Sequence, residues 1–198
     1  MDVNYSLVLL CASLKTFVFK FFLNTKDTKA GSQEYKGQKY KTKLKQLNLP
    51  EYSFNIRGKE GDQMIFDPLR RRFVRLTPEE WVRQNFAQYL IQEGKYPPGL
   101  IGMEILFRLN TLKKRTDILV HDRSGKPVMI VECKTYEFDL EEEAYEQIVN
   151  YNMVYHVPYL VVTNGMHHYA CKFRPDYKSW DYLNVIPLYE ELISEIQQ

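Results

Sequence analysis

The sequence predicts an α/β sandwich in which helices flank a central mixed β-sheet. Two observations lead to this fold class. Apolar residues recur at helical spacing in some segments, and short apolar stretches of strand length lie between clusters of turn residues in others. In chain order these segments give a helix, three strands, a helix, two strands and a closing helix, an alternation typical of α/β domains. The 198 residues, 44% of them hydrophobic, are enough to bury a substantial core.

The first helix is predicted to begin at Pro78. Thr77 is a good N-cap, proline fits the first helical position, and Glu80 completes a capping box. Gly94 ends the helix. A short extended region and an arginine-rich segment precede it, with Arg70, Arg71, Arg72 and Arg75 as the arginines. The apolar residues at helical spacing are Trp81, Val82, Phe86, Tyr89 and Leu90.

Three strands are predicted next, at Ile101–Leu109, Thr116–His121 and Pro127–Lys134. The segment Asp122 to Lys126 between the last two strands has the residues of a hairpin turn. A helix follows, with Asp139 as its N-cap and glutamates in its first turn. We expect this helix at about Leu140–Tyr155, then strands at Pro158–Thr163 and Met166–Phe173, and a last amphipathic helix at about Leu188–Ile196.

The N-terminal part is expected to lie outside the fold. Tyr5 to Leu23 is apolar, but Lys15 and Lys20 interrupt it, and it lacks a basic leader and a small-residue cleavage site. We therefore expect neither a signal peptide nor a membrane span. The following residues are rich in Lys, Thr, Gly and Ser, as in a linker. The expected division is an extension over residues 1–46 and a domain over 47–198, with its core at about 77–173.

Net charge and cysteine content narrow the class of protein. The formal net charge is only +2, so a nucleic-acid partner would have to be met by a local basic surface. Cys11, Cys133 and Cys171 are widely spaced and odd in number, which indicates neither a zinc site nor a disulfide framework. Reduced cysteines of this kind favour a cytoplasmic protein.

Charged residues follow an apolar strand where a core strand would be expected to continue. Glu132 and Lys134 are two residues apart on one strand and share a face, whereas Val131 and Cys133 point the other way. Charges in such a strand cost on the order of several kcal/mol unless they are paired or hold a metal ion. The pattern therefore indicates a site rather than a packed surface.

The hairpin determines whether a second carboxylate joins this site. If Ser124 and Gly125 form a two-residue turn, the ladder places Asp117 opposite Glu132, with Cβ atoms roughly 5 Å apart. Mg²⁺ would relieve the repulsion between these carboxylates, because it prefers carboxylate oxygens. A five-residue loop would instead shift the register by one residue and turn Asp117 away from Glu132.

These features also have simpler interpretations. An Asp, Glu and Lys network is ordinary on a surface hairpin, and a Glu-x-Lys triplet arises by chance in a chain of this length. Glu80 can serve the helix cap alone, and the arginines and lysines can be solvated surface. A membrane-tethered protein of unrelated function is a further alternative that rests only on Tyr5 to Leu23.

The motifs together resemble the PD-(D/E)xK nuclease superfamily, and more closely the nuclease domain at the N-terminus of type I restriction enzyme R subunits. Arg115-Thr-Asp117 stands at the family's Asp, and Glu132-Cys-Lys134 at its Glu-x-Lys. The resemblance extends over about Thr77 to Phe173. Gln147, with Tyr151 four residues later, resembles the Gln-xxx-Tyr motif, and Thr163-Asn164-Gly165 is also similar to the family.

The resemblance implies a restriction-endonuclease-like sandwich and a Mg²⁺-dependent deoxyribonuclease, with Mn²⁺ as an alternative ion. Asp117 and Glu132 would bind the metal with the carbonyl of Cys133 and with Glu80, for which Glu79 and Glu93 are substitutes. The ion would polarise the phosphate and activate a water. Lys134 would orient that water, and Gln147 and Tyr151 would hold Lys134 or the DNA backbone. Candidate phosphate contacts are Arg70, Arg71, Arg72, Lys113, Lys114 and Arg115.

The implied partners are DNA and other restriction or repair subunits. The 198 residues contain no GxxxxGK[ST] phosphate loop, whereas R subunits continue into a motor. We therefore expect either a stand-alone nuclease-like protein or one part of a larger system. A non-catalytic DNA-binding or assembly module with the same fold is the alternative function.

Overall fold

The computed structural model describes residues 44–59, 61–109, 112–140, 146, 149 and 156–197. Within these residues the chain forms a small antiparallel sheet, a larger mixed sheet, two α-helices and a short 3-10 helix. The N-terminal segment 1–43, including the apolar residues Tyr5–Leu23, lies outside the described part. No helix in the described ranges is long and apolar enough to cross a lipid bilayer.

The small sheet consists of β1 (Ile56–Lys59), β2 (Asp62–Asp67) and β3 (Arg72–Arg75), paired antiparallel in this order. The sequence predicted only a short extended region here, because each strand is at most six residues long. Alternate residues of β2 are buried, so the sheet presents one face to the protein and the other to solvent.

The large sheet has six strands in the spatial order of the sequence. All neighbours are antiparallel except β6 and β7, which are parallel, so the predicted mixed sheet is confirmed. The sequence analysis missed the short last strand. The strands are β4 (Ile101–Leu109), β5 (Leu112–His121), β6 (Pro127–Cys133), β7 (Tyr159–Thr163), β8 (His168–Phe173) and β9 (Trp180–Leu183).

The two helices are α1 (Pro78–Gln92) and α2 (Tyr189–Ile196), and a 3-10 helix spans Pro98–Leu100. The hydroxyl of Thr77 accepts a hydrogen bond from the Glu80 amide at 3.1 Å, which caps α1 as predicted. Between β6 and β7, the described residues Leu140, Glu146 and Val149 are helical. The remainder of the helix predicted at Leu140–Tyr155 lies outside the described residues.

The central strands are buried on both faces. One face packs against α1 and α2, whose Val82, Phe86 and Leu192 lie in the same core as Ile118 and Val131. The opposite face forms a second core that includes Leu119, Ile130 and Leu160 together with Leu140. Burial on both faces explains the apolar runs of β6, of β7 and of the second half of β5, whereas the first half of β5 carries charged residues up to Asp117.

The β5–β6 hairpin keeps the predicted register but reaches it differently. His121 pairs with Pro127 across a five-residue loop, so of the two alternatives that the sequence left open the structure has the loop and not the two-residue turn at Ser124 and Gly125. The side chain of Asp122 accepts from the amides of Ser124 and Lys126, at 2.9 and 2.8 Å, which stabilises the longer loop. A bulge next to His121 then restores the register, and Ile118 pairs with Val131.

Candidate active site

Asp117 lies where the β5–β6 ladder ends. The pairing of Ile118 with Val131 places it one step further, at the level of Glu132. Its Oδ2 accepts a hydrogen bond from the backbone amide of Cys133 at 2.7 Å. Its Oδ1 accepts from Nε and Nη2 of Arg83, at 3.1 and 2.7 Å. With a side chain only 14% exposed, Asp117 is held by one β6 amide and one α1 guanidinium.

Glu132 and Lys134 form an ion pair at the end of β6. The Lys134 ammonium lies 3.2 Å from Oε1 of Glu132 and 5.8 Å from the ring centroid of Phe138. The amide of Lys134 donates to the Thr163 carbonyl at 2.8 Å, which continues the β6–β7 pairing. Glu132 is 12% exposed and Lys134 25% exposed, so solvent screens this pair only in part.

Helix α1 contributes a buried polar face to the same region. Glu80, Arg83 and Gln84 are spaced by three and four residues and therefore lie on one side of the helix. The carboxylate of Glu80 contacts both Arg70 and Arg83, and it accepts from Nε2 of Gln84 at 2.8 Å. The expected capping box is therefore only half formed, because the arginines engage the carboxylate that would close it.

Arg70 was predicted to contact a DNA phosphate, but its guanidinium is 10% exposed and pairs with Asp67, Glu80 and Glu104 instead. Glu104 is a site residue that the sequence analysis missed. The pairs Met103–Ile118 and Ile105–Thr116 place it at the level of Asp117 on β4. It also lies 3.3 Å from Arg115 and 4.0 Å from Arg83.

These contacts join five carboxylates to three arginines, and the Glu132–Lys134 pair lies beside them at the level of Asp117. Burial lowers the pKa of the Arg83 guanidinium, but Asp117, Glu80 and Glu79 raise it, and the net pKa lies above the ordinary value. Burial also raises the pKa of the Cys133 thiol, which therefore stays neutral. With the Glu132–Lys134 pair included, the carboxylates are Asp67, Glu79, Glu80, Glu104, Asp117 and Glu132, and the cations are Arg70, Arg83, Arg115 and Lys134.

The donors fit a divalent cation in chemical kind but are engaged with protein cations. Carboxylate oxygens beside a backbone carbonyl are the ligands that Mg²⁺ prefers. In the described residues, however, no three His, Cys, Asp or Glu side chains converge as a metal ion requires. Arg83 holds one oxygen of Asp117, and the Cys133 amide holds the other. Binding of a metal ion by Asp117 would therefore compete with its hydrogen bonds to Arg83 and to the Cys133 amide.

The remaining predicted site residues divide into two groups. Arg72 is exposed on β3, and Arg115 is exposed on β5 beside Glu104, as phosphate contacts would be. Gln147, Tyr151 and the side chains of Lys113 and Lys114 lie outside the described residues. Of the two substitutes for Glu80, Glu79 pairs with Arg83 at 2.7 Å, whereas Glu93 lies at the far end of α1.

Thr163-Asn164-Gly165 has a structural role that the sequence analysis did not assign. The side chain of Asn164 accepts from the amides of Met166 and His167 and donates to the Phe138 carbonyl at 2.8 Å. These bonds connect the β7–β8 turn to the segment that follows Lys134. Gly165 has a φ of +79°, which favours glycine at this position.

The sequence does contain a signal that Arg83 and Gln84 belong to the site. They follow Glu80 by three and four residues, so the three polar side chains share one side of the predicted helix. Glu104 gave no such signal. Its partners Arg70 and Arg83 come from the turn between β2 and β3 and from α1. These segments are distant in sequence and meet only in the folded protein.

The chain was compared with protein families, with curated proteins and with solved structures. The sequence model of the family described as "Type I restriction enzyme R protein N terminus (HSDR_N)" matches residues 78–187. No protein with a curated description matches the chain. A solved fragment, assigned as an HsdR subunit of a type I restriction enzyme from Vibrio vulnificus YJ016, is similar with 20% identity and a TM-score of 0.45. That similarity covers 61% of this chain and 25% of the solved chain, so the chain spans well under half the length of that relative.

Proposed function

Because the chain belongs to the type I restriction enzyme R protein N-terminus family, we propose that it is a metal-dependent deoxyribonuclease that hydrolyses DNA phosphodiester bonds. The observation that carries the proposal is the strand-end set of Asp117, Glu132 and Lys134. The site lies at the C-terminal end of β6 and beside the middle of β5, and these neighbouring strands carry the three side chains.

The cost of this arrangement supports a functional role. Asp117 and Glu132 are both less than 15% exposed, and burying such charges is expensive even when they are paired. Apolar residues at these strand ends would extend the adjacent cores. Proteins keep charges of this kind preferentially at functional sites, where pKa values and fields must be tuned.

In the proposed reaction, Asp117, Glu132 and the Cys133 carbonyl hold Mg²⁺ or Mn²⁺, with Glu80 assisting. The bound ion supplies Lewis-acid chemistry and lowers the pKa of a bound water. The six carboxylates outnumber the four cations by two, which is the charge that a divalent ion would neutralise.

Lys134 has a separate task in this proposal. Its ammonium lies beside the Glu132 carboxylate and is partly exposed, so it can reach a phosphate without losing its ion pair. There it orients the attacking water and stabilises the negative charge that develops on the phosphate. Gln147 and Tyr151 hold Lys134 or the DNA backbone, and Arg72, Arg115, Lys113 and Lys114 contact neighbouring phosphates.

Cleavage of linear, circular and single-stranded DNA in Mg²⁺ or Mn²⁺ tests the proposal. Asp117→Asn should abolish cleavage while the melting temperature shows that the variant still folds. Lys134→Ala should also lose cleavage, and its matched control is Lys172→Ala, because Lys172 likewise pairs with a glutamate, at 2.7 Å from Glu195. Cleavage that survives Asp117→Asn, or that is lost equally in Lys172→Ala, would count against the site.

One observation favours a second candidate, a non-catalytic DNA-binding or assembly module. Arg83 occupies one oxygen of Asp117, and within the described part of the chain no metal-ligand set converges. Isothermal calorimetry separates the candidates: heat of Mn²⁺ binding that disappears in Asp117→Asn supports the nuclease. DNA binding without any metal binding supports the module.

The cellular setting belongs to the same proposal. We propose that the protein acts in the cytoplasm on DNA, together with other restriction or repair subunits, and not at a membrane. Cys133 and Cys171 are free and buried, in agreement with a reducing compartment. The proposed division into an extension over 1–46 and a nuclease-like domain over 47–198 is supported by the burial of Leu47 and Leu49 against the core.

A further inference from the structure

The small sheet β1–β3 has an outward face whose apolar residues, Met64, Phe66 and Phe73, belong to neither hydrophobic core. On β2, Gln63, Ile65 and Asp67 are buried and point toward the protein, so Met64 and Phe66 point outward. The pairing register extends this face across the neighbouring strands. Its residues, which we call the platform, are Arg57, Lys59, Asp62, Met64, Phe66, Phe73 and Arg75.

Aromatic rings form the middle of the platform. Phe66 and Phe73 are cross-strand partners whose ring centroids are 5.2 Å apart, and both are half-buried rather than enclosed. The guanidinium carbon of Arg57 lies 3.6 Å from the ring centroid of Phe73. A guanidinium stacked in this way exposes its second planar face to solvent, with its N–H donors at the rim.

Cations surround these rings without being neutralised. Arg57 and Arg75 flank Met64 in one cross-strand row, and Lys59 lies further along β1. All three are exposed, and none forms an ion pair with another described residue. Asp62 is the one acidic residue among the platform residues, so the face is positively charged and complementary to a phosphate backbone.

The platform adjoins the candidate active site through one turn. Asp67, the last residue of β2, and Arg70 in the following turn belong to the acidic cluster. Arg71 and Arg72, next along the chain, are exposed and lead back to β3. The platform also lies before residues 78–187, the range that matches the family, so the family match does not assign it a role.

We propose that the platform binds a single-stranded stretch of the DNA substrate beside the site of cleavage. Bases stack on Phe66 and on the outer face of the Arg57 guanidinium, which itself lies over Phe73, while Lys59 and Arg75 contact phosphates. Unpaired bases are required, because a duplex encloses its base faces and offers this surface only phosphates. The proposal deepens the nuclease function and rests on it for the identity of the nucleic acid.

Fluorescence anisotropy with labelled oligo-dT and a duplex of equal length tests the platform. The full chain is titrated in EDTA, so that binding is measured without cleavage. Phe73→Leu should weaken oligo-dT binding by roughly 5- to 150-fold, the usual loss of one stacked base, and leave the salt dependence unchanged. Arg75→Gln should reduce the slope of log K against log salt by about 0.7, one phosphate contact on a single strand.

Matched controls are Lys126→Gln and Lys178→Gln, which remove exposed lysines from other loops. Both should bind oligo-dT like the parent protein, and melting curves establish that every variant folds. Arg57→Gln is the second test of stacking if Phe73→Leu is poorly folded. The platform is refuted by parental oligo-dT affinity in both stacking variants, or by an altered oligomeric state with DNA affinity intact, which would mark a protein interface.

The outcomes for the platform and for the nuclease are separable. Loss of oligo-dT binding in the platform variants without cleavage by the parent chain leaves the platform standing and removes the nuclease. If cleavage depends on Asp117 but the Phe73 and Arg57 variants bind oligo-dT like the parent protein, the nuclease stands and the platform is refuted.

Discussion

Arg83 is the residue on which the stability of the candidate site depends most. Its side chain is 7% exposed and contacts Glu79, Glu80 and Asp117, with Glu104 4.0 Å away. The substitution Arg83→Met keeps a long side chain in this space but removes the positive charge. Glu80 and Asp117 are themselves largely buried, and they would then lose the cation that offsets their desolvation.

The expected loss is large. Breaking a buried ion pair by removing one partner costs about 3–5 kcal/mol, because the remaining charge is left buried and uncompensated. Arg70 still binds Glu80, which argues for the lower half of that range. For a domain of this size a loss in that lower half should reduce the melting temperature by roughly 6–16 °C. Arg83→Lys keeps the charge but cannot bind the three carboxylates together, and it should lose less.

Urea denaturation followed by circular dichroism measures this loss. Glu79→Gln is the matched control, because Glu79 contacts the same guanidinium but is 48% exposed, so its removal should cost less than about 1 kcal/mol. If Arg83 occupies a position that a metal can take, Mn²⁺ at 100 times its dissociation constant for Arg83→Met should stabilise that variant by about 2.7 kcal/mol, and the same Mn²⁺ concentration should stabilise the parent less. A loss below about 1 kcal/mol in Arg83→Met would refute the reasoning about buried carboxylates.

Two further predictions concern residues outside the site. Burial lowers the pKa of His168 from 6.5 to about 4, so unfolded chains take up a proton that folded chains do not, and stability should fall by about 3 kcal/mol between those pH values. Urea denaturation at pH 7 and pH 4.5 measures this slope, which His168→Gln should largely remove. The hydroxyl of Tyr52 is buried without a hydrogen-bond partner among the described residues, so Tyr52→Phe should leave stability unchanged or raise it by about 1 kcal/mol. Tyr159→Phe should lower stability, because the Tyr159 hydroxyl donates a hydrogen bond to Glu195 at 2.6 Å. A loss of stability in Tyr52→Phe but not in Tyr159→Phe would contradict the assignment of the Tyr52 hydroxyl as unpartnered.

Periodicity and turn residues predicted the large elements because both are local properties of the chain. Helix α1 begins at Pro78, as its cap residues indicated, and all five predicted strands lie within four residues of their observed bounds. The strands β1–β3 and β9 are four to six residues long, too short for alternation alone to separate them from loops.

The hairpin register shows where local reasoning reaches its limit. The loop has five residues, which by itself would have turned Asp117 away from Glu132. The bulge beside His121 compensates, and nothing in the turn residues alone requires it. Asp117 therefore has the level that a two-residue turn would give, although the loop has five residues.

The partners of the site carboxylates could not be predicted in the same way. Asp117 was expected to face Glu132 across a metal, whereas its hydrogen bonds go to Arg83 and to the Cys133 amide. Glu104 and Arg70 reach the cluster from β4 and from the β2–β3 turn. Contacts between distant segments depend on how the helices pack on the sheets, and the spacing of residues along the chain carries no information about that packing.

The initial rate of Mg²⁺-dependent DNA cleavage by the parent chain and by Lys134→Ala tests the central claim most directly. Lys134 forms one partly exposed ion pair with Glu132, so its truncation should leave the fold and its melting temperature nearly unchanged. The expected result is a rate reduced by roughly 100- to 1000-fold, the usual effect of losing one donor that stabilises developing charge. An undiminished rate in folded Lys134→Ala would contradict the claim that this strand-end site cleaves DNA.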